Sequence, residues 1–182
     1  MKYLIVSDIH GATSSAEKIV SLDNKYNFSS ILVLGDVNYN GARNVPPSDY
    51  SPIEVTKLLK TIANKALFIR GNCDSRVDAF VLEKEFYDLK KIKIHGLKFI
   101  LTHGDLFNES NIKIRKNTVF LYGHTHIYVL KRLDNGSLVI NPGSISLPKN
   151  NNPRTYVIFD DEKGIFSLYN IEDELIQTIS VN

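Results

Sequence analysis

Hydrophobic residues in the first half of the chain follow two alternating patterns. Short continuous apolar runs, "KYLIVS", "SSILVLGD" and "ALFIRGN", are typical of buried β-strands. Between these runs, "SSAEKIVSLDNKY" and "SPIEVTKLLKTIANK" carry apolar residues at helical spacing. Strands that are apolar on both faces and separated by helices predict a parallel sheet that is covered on both sides.

The second half of the chain is richer in strand patterns and tight turns. The run "YDLKKIKIHGLKFILTHGD" holds two strand patterns around His95-Gly96, and "NTVFLYGHTH", "IYVLKRLDNGSLVINPGS" and "RTYVIFDDEKGIFSLYNI" predict further strands. Asp134-Asn135-Gly136 is typical of a hairpin turn. Together the halves predict an α/β fold, a four-layer α/β/β/α sandwich of two mixed sheets flanked by helices.

Composition narrows the class of protein. The chain has 182 residues, 43% hydrophobic residues and a formal net charge of +2, which predicts a single domain over residues 1–182 without a bulk affinity for polyanions. The apolar start is too short for a signal peptide, and no run approaches a membrane span, so we expect a cytoplasmic protein. Because Cys73 is the only cysteine, any metal must be held mainly by His, Asp and Asn.

Polar side chains that can bind metal follow five of the apolar runs, where each run ends. They are Asp8, His10, Asp36, Asn72, His103, His124 and His126. The carboxyl ends of strands form the binding crevice of an open α/β sheet, so this placement predicts a shared site. His95 lies in a charged alternating run instead, and we interpret it as a turn or exposed strand residue.

Each of these motifs also has an ordinary structural interpretation. Asp8 and His10 could cap a helix or form a turn, and Asp36 after Gly35 could do the same. His124 and His126 would point to opposite faces of an extended chain, unless the preceding glycine turns the backbone so that both converge. Only the joint pattern favours a metal site over these alternatives.

The residue types suit a pair of divalent cations. Two metal ions about 3.5–4 Å apart need oxygen and imidazole ligands and an anion between them, which offsets their mutual repulsion. Two aspartates, one asparagine and four histidines provide such a set. This mixture favours Mn, Fe, Ni, Co or Zn over Ca or a single Mg ion.

The ordered motifs "SDIHG", "LGD", "RGNCD", "THGD" and "GHTH" resemble those of the calcineurin-like metallophosphoesterases. The runs "GDVNYNGARN", "IRGNCDSRVD" and "INPGSISLPK" are similar to those of the bacterial YfcE-type phosphodiesterases within that superfamily. The resemblance extends from Met1 to about Pro153. It implies the metallo-dependent phosphatase fold and hydrolysis of phosphoric esters.

The resemblance also implies roles for the strand-end residues. Asp8, His10 and His126 would hold one metal ion, Asn72, His103 and His124 the other, and Asp36 would bridge the two. A water or hydroxide between the ions would attack phosphorus. The implied catalytic residues are Asp36, Asn72, Cys73 and His103, and the implied cofactor is a pair of divalent ions, with Mn favoured and Fe, Ni, Co, Zn or Mg as alternatives.

Three further residues are candidates for contacts with the substrate or with the ligands. Arg43 could bind a phosphate oxygen through its guanidinium group, or it could be a surface loop residue. Asp74 could orient a ligand or cap the following turn. Ser144, in "NPGS", could lie near His126.

Cys73 departs from the pattern of many larger superfamily members, which have Gly-Asn-His-Asp or Gly-Asn-His-Glu at this point. There the histidine helps to protonate the leaving group, whereas a thiol with a pKa of about 8.5 is a poor match for that task. We therefore expect aryl esters to react faster than alkyl esters. Alternatively Cys73 is inert, or, least favoured, a metal ligand. Asn40 and Asp105 stand where close relatives commonly have histidine.

A small phosphodiester is the favoured substrate, because few cations accompany the motifs to neutralise a monoester dianion. A phosphomonoesterase or a nuclease on the same centre is the alternative, although no Lys/Arg-rich stripe accompanies the motifs to indicate an extended nucleic-acid surface. A non-catalytic scaffold is the alternative from another class, because a eukaryotic retromer subunit uses a similar fold. Exposed strand edges in the second half are compatible with a homo-oligomer without identifying an interface, and nothing indicates a membrane partner.

Overall fold

The computed structural model describes residues 1–181, with three helices and twelve strands among them. The helices are α1 (Thr13–Tyr26), α2 (Pro52–Lys60) and α3 (Arg76–Leu82). The strands are β1 (Lys2–Val6), β2 (Ser30–Val33), β3 (Ala66–Ile69), β4 (Phe86–Tyr87), β5 (Leu89–Ile94), β6 (Leu97–Thr102), β7 (Thr118–Leu121), β8 (Tyr128–Arg132), β9 (Leu138–Pro142), β10 (Thr155–Asp160), β11 (Ile165–Asn170) and β12 (Leu175–Ser180). Among residues 1–181 no helix combines the length and apolar content needed to cross a bilayer.

The strands form two mixed sheets. The larger sheet has seven strands in the order β12-β11-β10-β1-β2-β3-β4, in which β1 to β4 are parallel and β10 to β12 are antiparallel. The smaller sheet has five strands in the order β5-β6-β7-β9-β8, with β6, β7 and β9 parallel. The predicted fold class, an α/β sandwich of two mixed sheets, is confirmed.

Two apolar cores hold the layers together. Successive residues of β1 point to opposite faces, so Leu4 packs toward the helices while Ile5 packs between the two sheets. The core between the sheets is rich in aromatic contacts, such as the stacked rings of Phe159 and Phe166. The prediction that residues 1–182 form one domain stays a prediction.

The outer layers differ from each other. All three helices pack on the outer face of the larger sheet. On the outer face of the smaller sheet, Phe120 and Tyr122 are covered by Ile112 and Ile114 from an irregular segment. Within residues 1–181 this segment stands where the predicted α/β/β/α order has a second helical layer. The segment "DLFNESNIKIRKN" places its isoleucines two residues apart and contains Asn108, Ser110 and Asn111 before them, which disfavours a helix.

Helix α3 is too short for the sequence pattern to have predicted it. It has seven residues, and Ser75 begins it with a capping box in which Ser75 and Asp78 each accept from the other's backbone. Helix α2 ends at Lys60, earlier than the predicted end near Lys65, because the chain continues as turns.

Asp173 joins the turn between β11 and β12 to helix α1. Its carboxylate accepts hydrogen bonds from Lys18 Nζ at 2.6 Å, Tyr156 OH at 2.6 Å and Lys25 Nζ at 3.2 Å. The hydrogen bond from Lys18, followed by that from Tyr156, lowers the pKa of Asp173 to about 2. These contacts attach the turn to α1.

We predict that Asp173→Asn lowers the free energy of unfolding by about 1 kcal/mol at neutral pH, because charged hydrogen bonds are lost. Asp173 has a left-handed backbone with φ of 68°, which asparagine tolerates. Because the folded-state pKa is depressed, the native advantage should be complete above about pH 4 and disappear as the pH falls through about 2. Urea titrations across this range measure it.

Glu172→Gln is the matched control, because it removes the same charge from the neighbouring residue. Its unfolding free energy should stay within about 0.5 kcal/mol of the native value. A loss at Asp173 that is no larger than this, or that does not shrink in acid, would contradict the assigned contacts.

Candidate metal centre

The seven strand-end residues come together where the carboxyl ends of both sheets meet. The larger sheet contributes Asp8 and His10 after β1, Asp36 after β2 and Asn72 after β3, and the smaller sheet contributes His103 after β6 and His124 and His126 after β7. Asp8, His10 and His103 are fully buried, Asp36 and His126 nearly so, whereas Asn72 is exposed. The site therefore has a buried floor and an open side at Asn72.

Most of these residues have a left-handed backbone, which is costly for any residue except glycine. The φ angles are 57° at Asp8, 49° at His10, 56° at Asp36, 66° at His124 and 60° at His126. Each such position costs on the order of 1–2 kcal/mol, so the surrounding structure must enforce it. The left-handed residues turn the chain sharply at each strand end and aim the side chains into the site.

The same backbone conformation settles the question of the two neighbouring histidines, which are not in extended chain. His126 Nε2 lies 3.1 Å from His10 Nε2 and 3.4 Å from Asp8 Oδ1. His124 instead packs edge-on against His103, with ring centroids 5.1 Å apart. Both histidines therefore reach the site, His126 beside Asp8 and His10, and His124 beside His103.

Three buried imidazoles are oriented by backbone carbonyls. The Nδ1 atoms of His10, His103 and His126 lie 2.9, 2.7 and 2.5 Å from the carbonyl oxygens of Tyr39, Leu34 and Leu147, respectively. A carbonyl oxygen only accepts, so each Nδ1 carries a proton and donates it. Each Nε2 is left to face the site, where it holds either a metal ion or a second proton.

The contacts between these groups are unfavourable unless a cation lies among them. Asp8 Oδ1 is buried and has no hydrogen-bond partner, and His10 Nε2 and His126 Nε2 lie 3.7 and 3.4 Å from it. Those two nitrogens face each other at 3.1 Å. An unpaired buried carboxylate oxygen beside two converging imidazole nitrogens fits a divalent metal ion.

Asp36 lies between two groups of side chains, one with His10 and the other with His103. Its Oδ1 accepts from Cys73 N–H at 2.8 Å, which fixes the carboxylate. Its Oδ2 lies 3.7 Å from His10 Nε2 on one side and 3.4 Å from His103 Nε2 on the other. Asn72 Oδ1 lies 3.2 Å from the same His103 nitrogen. One oxygen of Asp36 thus faces both groups, as a bridging ligand requires.

The pKa values follow from the enclosed charges. Burial by itself raises the pKa of Asp8, but the contact with His10 and the charges of His103 and His126 outweigh it and hold this pKa at about 2. Burial disfavours the charged form of His103, but the contact with Asp36 and the charge of Asp8 raise its pKa to about 10. A metal ion at His103 must therefore displace a proton.

Asp74 positions the bridging residue. Its Oδ2 accepts from the backbone N–H groups of Asp36 and Gly71, and its Oδ1 from that of Val37, each at 2.8 Å. Burial, together with the charge of Asp36, raises the pKa of Asp74 to about 6. Of its two expected roles, these contacts favour orienting a ligand over capping a turn.

Ser144 connects Asp8 with the loop that orients His126. Its Oγ donates to the carbonyl oxygen of Asp8 at 2.8 Å and accepts from Ser146 N–H and Leu147 N–H. Leu147 in turn supplies the carbonyl that orients His126. The "NPGS" loop therefore acts on the site by positioning Asp8 and His126.

Cys73 lies beside the site with a protonated thiol. Burial first, and then the charge of Asp36, raises its pKa to about 12. Its Sγ accepts from Asn72 Nδ2 at 3.3 Å. Ligand atoms of His10, Asp36 and Cys73 lie within 4.8 Å of one another, so the alternative of Cys73 as a metal ligand has a geometric basis.

The other residues considered in the sequence analysis are Arg43, Asn40 and Asp105. Arg43 is exposed and makes no hydrogen bond or ion pair within residues 1–181. Asn40 and Asn44 exchange side-chain amide to backbone carbonyl hydrogen bonds at 2.8 and 2.7 Å, which shapes the loop beside Cys73. Asp105 is partly buried, and its charge acts on His124.

A family model described as the calcineurin-like phosphoesterase superfamily domain matches residues 1–164. The chain belongs to this superfamily. The predicted resemblance is confirmed.

Phosphodiesterases and one solved phosphoesterase structure match most or all of this chain. Phosphodiesterase YfcE of Escherichia coli K12 is 34% identical over 186 residues, covering 100% of this chain and 99% of that protein. A solved structure of Escherichia coli YfcE, a phosphoesterase, superposes with a TM-score of 0.95 at 33% identity over 100% of both chains. A phosphodiesterase of Methanocaldococcus jannaschii is 28% identical over 79% of this chain and 83% of its own.

A structure of Entamoeba histolytica Vps29 complexed with zinc has a TM-score of 0.68 at 18% identity, covering 100% of both chains. At this identity the match shows a shared fold alone.

The carbonyl groups that orient the imidazoles were not among the predicted site residues. Tyr39, Leu34 and Leu147 supply them from the backbone. Any residue type has a carbonyl group, so no side-chain pattern could have identified these three positions.

Two glycines allow the close contacts of the candidate metal centre. A Cβ at Gly71 would overlap Asp36 Oδ1, and a Cβ at Gly123 would overlap Ser7 Oγ and lie 3.0 Å from Asp8 Oδ2. Gly123 therefore lets the smaller sheet approach β1 closely enough for the two sheets to share the site.

We predict that Gly123→Ala lowers the bound metal per chain by more than about 10-fold, because the added methyl group separates Asp8 from the smaller sheet. Metal analysis of the purified variant measures this, and circular dichroism checks that it folds. Gly136→Ala is the control, because φ there is +81° but nothing lies within 4 Å. It should cost about 1 kcal/mol and keep its metal. Equal metal content in both variants would contradict the role of Gly123.

Proposed function

We propose that this protein is a phosphodiesterase that hydrolyses small phosphodiesters with two divalent metal ions. Membership of the phosphoesterase superfamily and the full-length similarity to YfcE support a phosphoric ester hydrolase. The observation that carries the proposal is the unpaired Asp8 oxygen beside the converging Nε2 atoms of His10 and His126. That arrangement of an anionic oxygen and two imidazole nitrogens supports the binding of a cation.

The residues that would hold the metal ions form two groups. Asp8, His10 and His126 make the first, Asn72, His103 and His124 the second, and Asp36 faces both. Bound divalent ions would supply an activated water for attack on phosphorus and would neutralise charge on the phosphate oxygens. The mixture of imidazole and oxygen ligands favours Mn, with Fe, Ni, Co, Zn and Mg as alternatives.

The cations near the site support a diester over a monoester. Arg70 donates to the carbonyl of Phe86 and pairs with Asp88, so it is engaged away from the site. Arg154 donates to the carbonyl of Ile145 and to serine hydroxyls of α1. Arg43 is exposed on its loop. Lys149 does lie near the site, because its charge helps to lower the pKa of His126, so the support for a diester is that a single lysine, and no arginine fork, accompanies the ligands.

A panel of nitrophenyl esters tests the proposed function. The purified protein, loaded in turn with Mn, Fe, Ni, Co, Zn or Mg, should hydrolyse the nitrophenyl diester with a higher kcat/KM than the monoester. A preference for the monoester would favour a phosphomonoesterase. Absence of bound metal and of activity after reconstitution would favour a scaffold instead. The cytoplasmic location and self-association stay predictions.

We predict that Asp36→Asn lowers kcat/KM for the nitrophenyl diester by at least about 100-fold, because the neutral amide cannot offset two cations. The bound metal per chain should fall with it. Asp134→Asn, in the exposed turn between β8 and β9, is the matched control and should keep native activity. Near-native activity and metal content in Asp36→Asn would refute its role as a bridge.

We predict that Cys73→His raises the hydrolysis rate of an alkyl phosphodiester more than that of a nitrophenyl diester. A thiol with a pKa of about 12 is a poor acid, so an alkoxide leaving group lacks a proton donor. A nitrophenolate leaving group needs no proton donor. Equal effects on both substrates would contradict this role, and Cys73→Ser is the control for the loss of the thiol alone.

A further inference from the structure

A groove of about 760 Å³ lies on the outer face of the smaller sheet, at the edge formed by β5 and β6. The irregular segment 107–115 forms its other wall. Five basic side chains line it, namely Lys91, Lys93, Lys98, Lys113 and Arg115, and no acidic residue does. All five are exposed. We call this feature the basic groove.

The positive charge of the basic groove is not neutralised by the protein. None of the five basic residues forms an ion pair among residues 1–181. The nearest acidic residues along the chain are engaged elsewhere, because Asp88 pairs with Arg70 and Glu109 with Lys131. The charge therefore remains available to a ligand.

Two of the lysines are placed against each other. Lys93 and Lys98 lie directly opposite in the antiparallel β5–β6 pairing. Like charges at such a position destabilise a sheet unless an anion lies between them. β5 is an edge strand, where lysines also protect against pairing with other chains. The facing of two lysines is in addition what an anion-binding surface would provide.

The shape of the groove favours an extended ligand. Lys91 and Lys93 lie on one face of β5, roughly 7 Å apart along the strand. Leu89, Ile100 and Phe107 add apolar and aromatic surface to the lining. A row of cations beside apolar surface matches single-stranded nucleic acid, which carries regularly spaced phosphates and flat bases.

The position of the groove supports a phosphate-bearing ligand over an acidic peptide. Leu89, at one end of the groove, pairs with Thr102, and Thr102 directly precedes His103 of the candidate metal centre. One end of the groove therefore approaches a site for phosphate esters. This step rests on the proposed function.

We propose that the basic groove binds single-stranded nucleic acid. The basic residues come from two separate segments, "LKKIKIHGLK" and "IKIRK", so no single basic stripe appears in the sequence. The pairing of β5 with β6 and the return of segment 107–115 bring them together.

Fluorescence anisotropy with a labelled oligothymidylate tests the proposal, with EDTA present to prevent hydrolysis. The double variant Lys93→Glu/Lys98→Glu should weaken binding by at least about 10-fold and flatten the slope of log affinity against log salt by about 1.4. Lys57→Glu/Lys60→Glu, which makes the same charge change on exposed residues of α2, should bind as the native protein does. Circular dichroism verifies that both variants fold.

Three outcomes would overturn the proposal: no binding by the native protein, equal weakening in both double variants, or tighter binding of polyglutamate than of the oligonucleotide. The last would indicate an acidic protein partner. Hydrolysis of the nitrophenyl diester by the metal-loaded Lys93→Glu/Lys98→Glu variant should equal that of the native protein. If no protein hydrolyses the ester, the proposed function fails, while the binding result still decides the groove.

Discussion

Asp8 is the point on which the two sheets and the candidate metal centre jointly depend. Its Oδ2 accepts from the backbone N–H of His124, across the boundary between the sheets, and its carbonyl oxygen accepts from the hydroxyls of Ser144 and Ser146. Its Oδ1 is left without a partner and faces His10 and His126. One residue thus joins the layers and leaves one anionic oxygen free for a metal ion.

This arrangement is costly, and the core between the sheets must offset the cost. Five site residues have left-handed backbones, each unfavourable by on the order of 1–2 kcal/mol. Two or three residues before Asp8, Asp36 and His124, the chain buries Ile5, Leu34 and Leu121 between the sheets. Burying each such side chain contributes about 1.5–3 kcal/mol, so the strands can hold their ends in strained conformations.

The sequence was informative where side-chain chemistry follows the periodicity of strands. The apolar runs ending at Asp8, Asp36 and Asn72 predicted both the parallel strands and the edge at which their side chains meet, because strand direction determines that edge. The sequence pattern did not predict the backbone conformations of the site residues. The left-handed conformation of His126 and its carbonyl partner at Leu147 arise from loop packing, which no residue type specifies.

Nonlocal packing also explains the other differences. Helix α3 has only seven residues, so its apolar positions form no recognisable period, and its start depends on the capping contact between Ser75 and Asp78. The cover of the smaller sheet is irregular because Ile112 and Ile114 reach Phe120 from a loop. Such coverage depends on where the loop returns, which composition does not determine.

Position 73 illustrates how backbone and side chain can serve a site separately. The backbone N–H of Cys73 donates to Asp36 Oδ1 at 2.8 Å, and any residue except proline could provide this contact. The orientation of Asp36 is therefore independent of the side chain at position 73, which lies beside His10 and Asp36 and is free to change chemistry. A thiol with a pKa of about 12 keeps that position neutral. A change of that side chain therefore keeps the backbone contact that fixes Asp36 and removes only the contact of Sγ with Asn72 Nδ2.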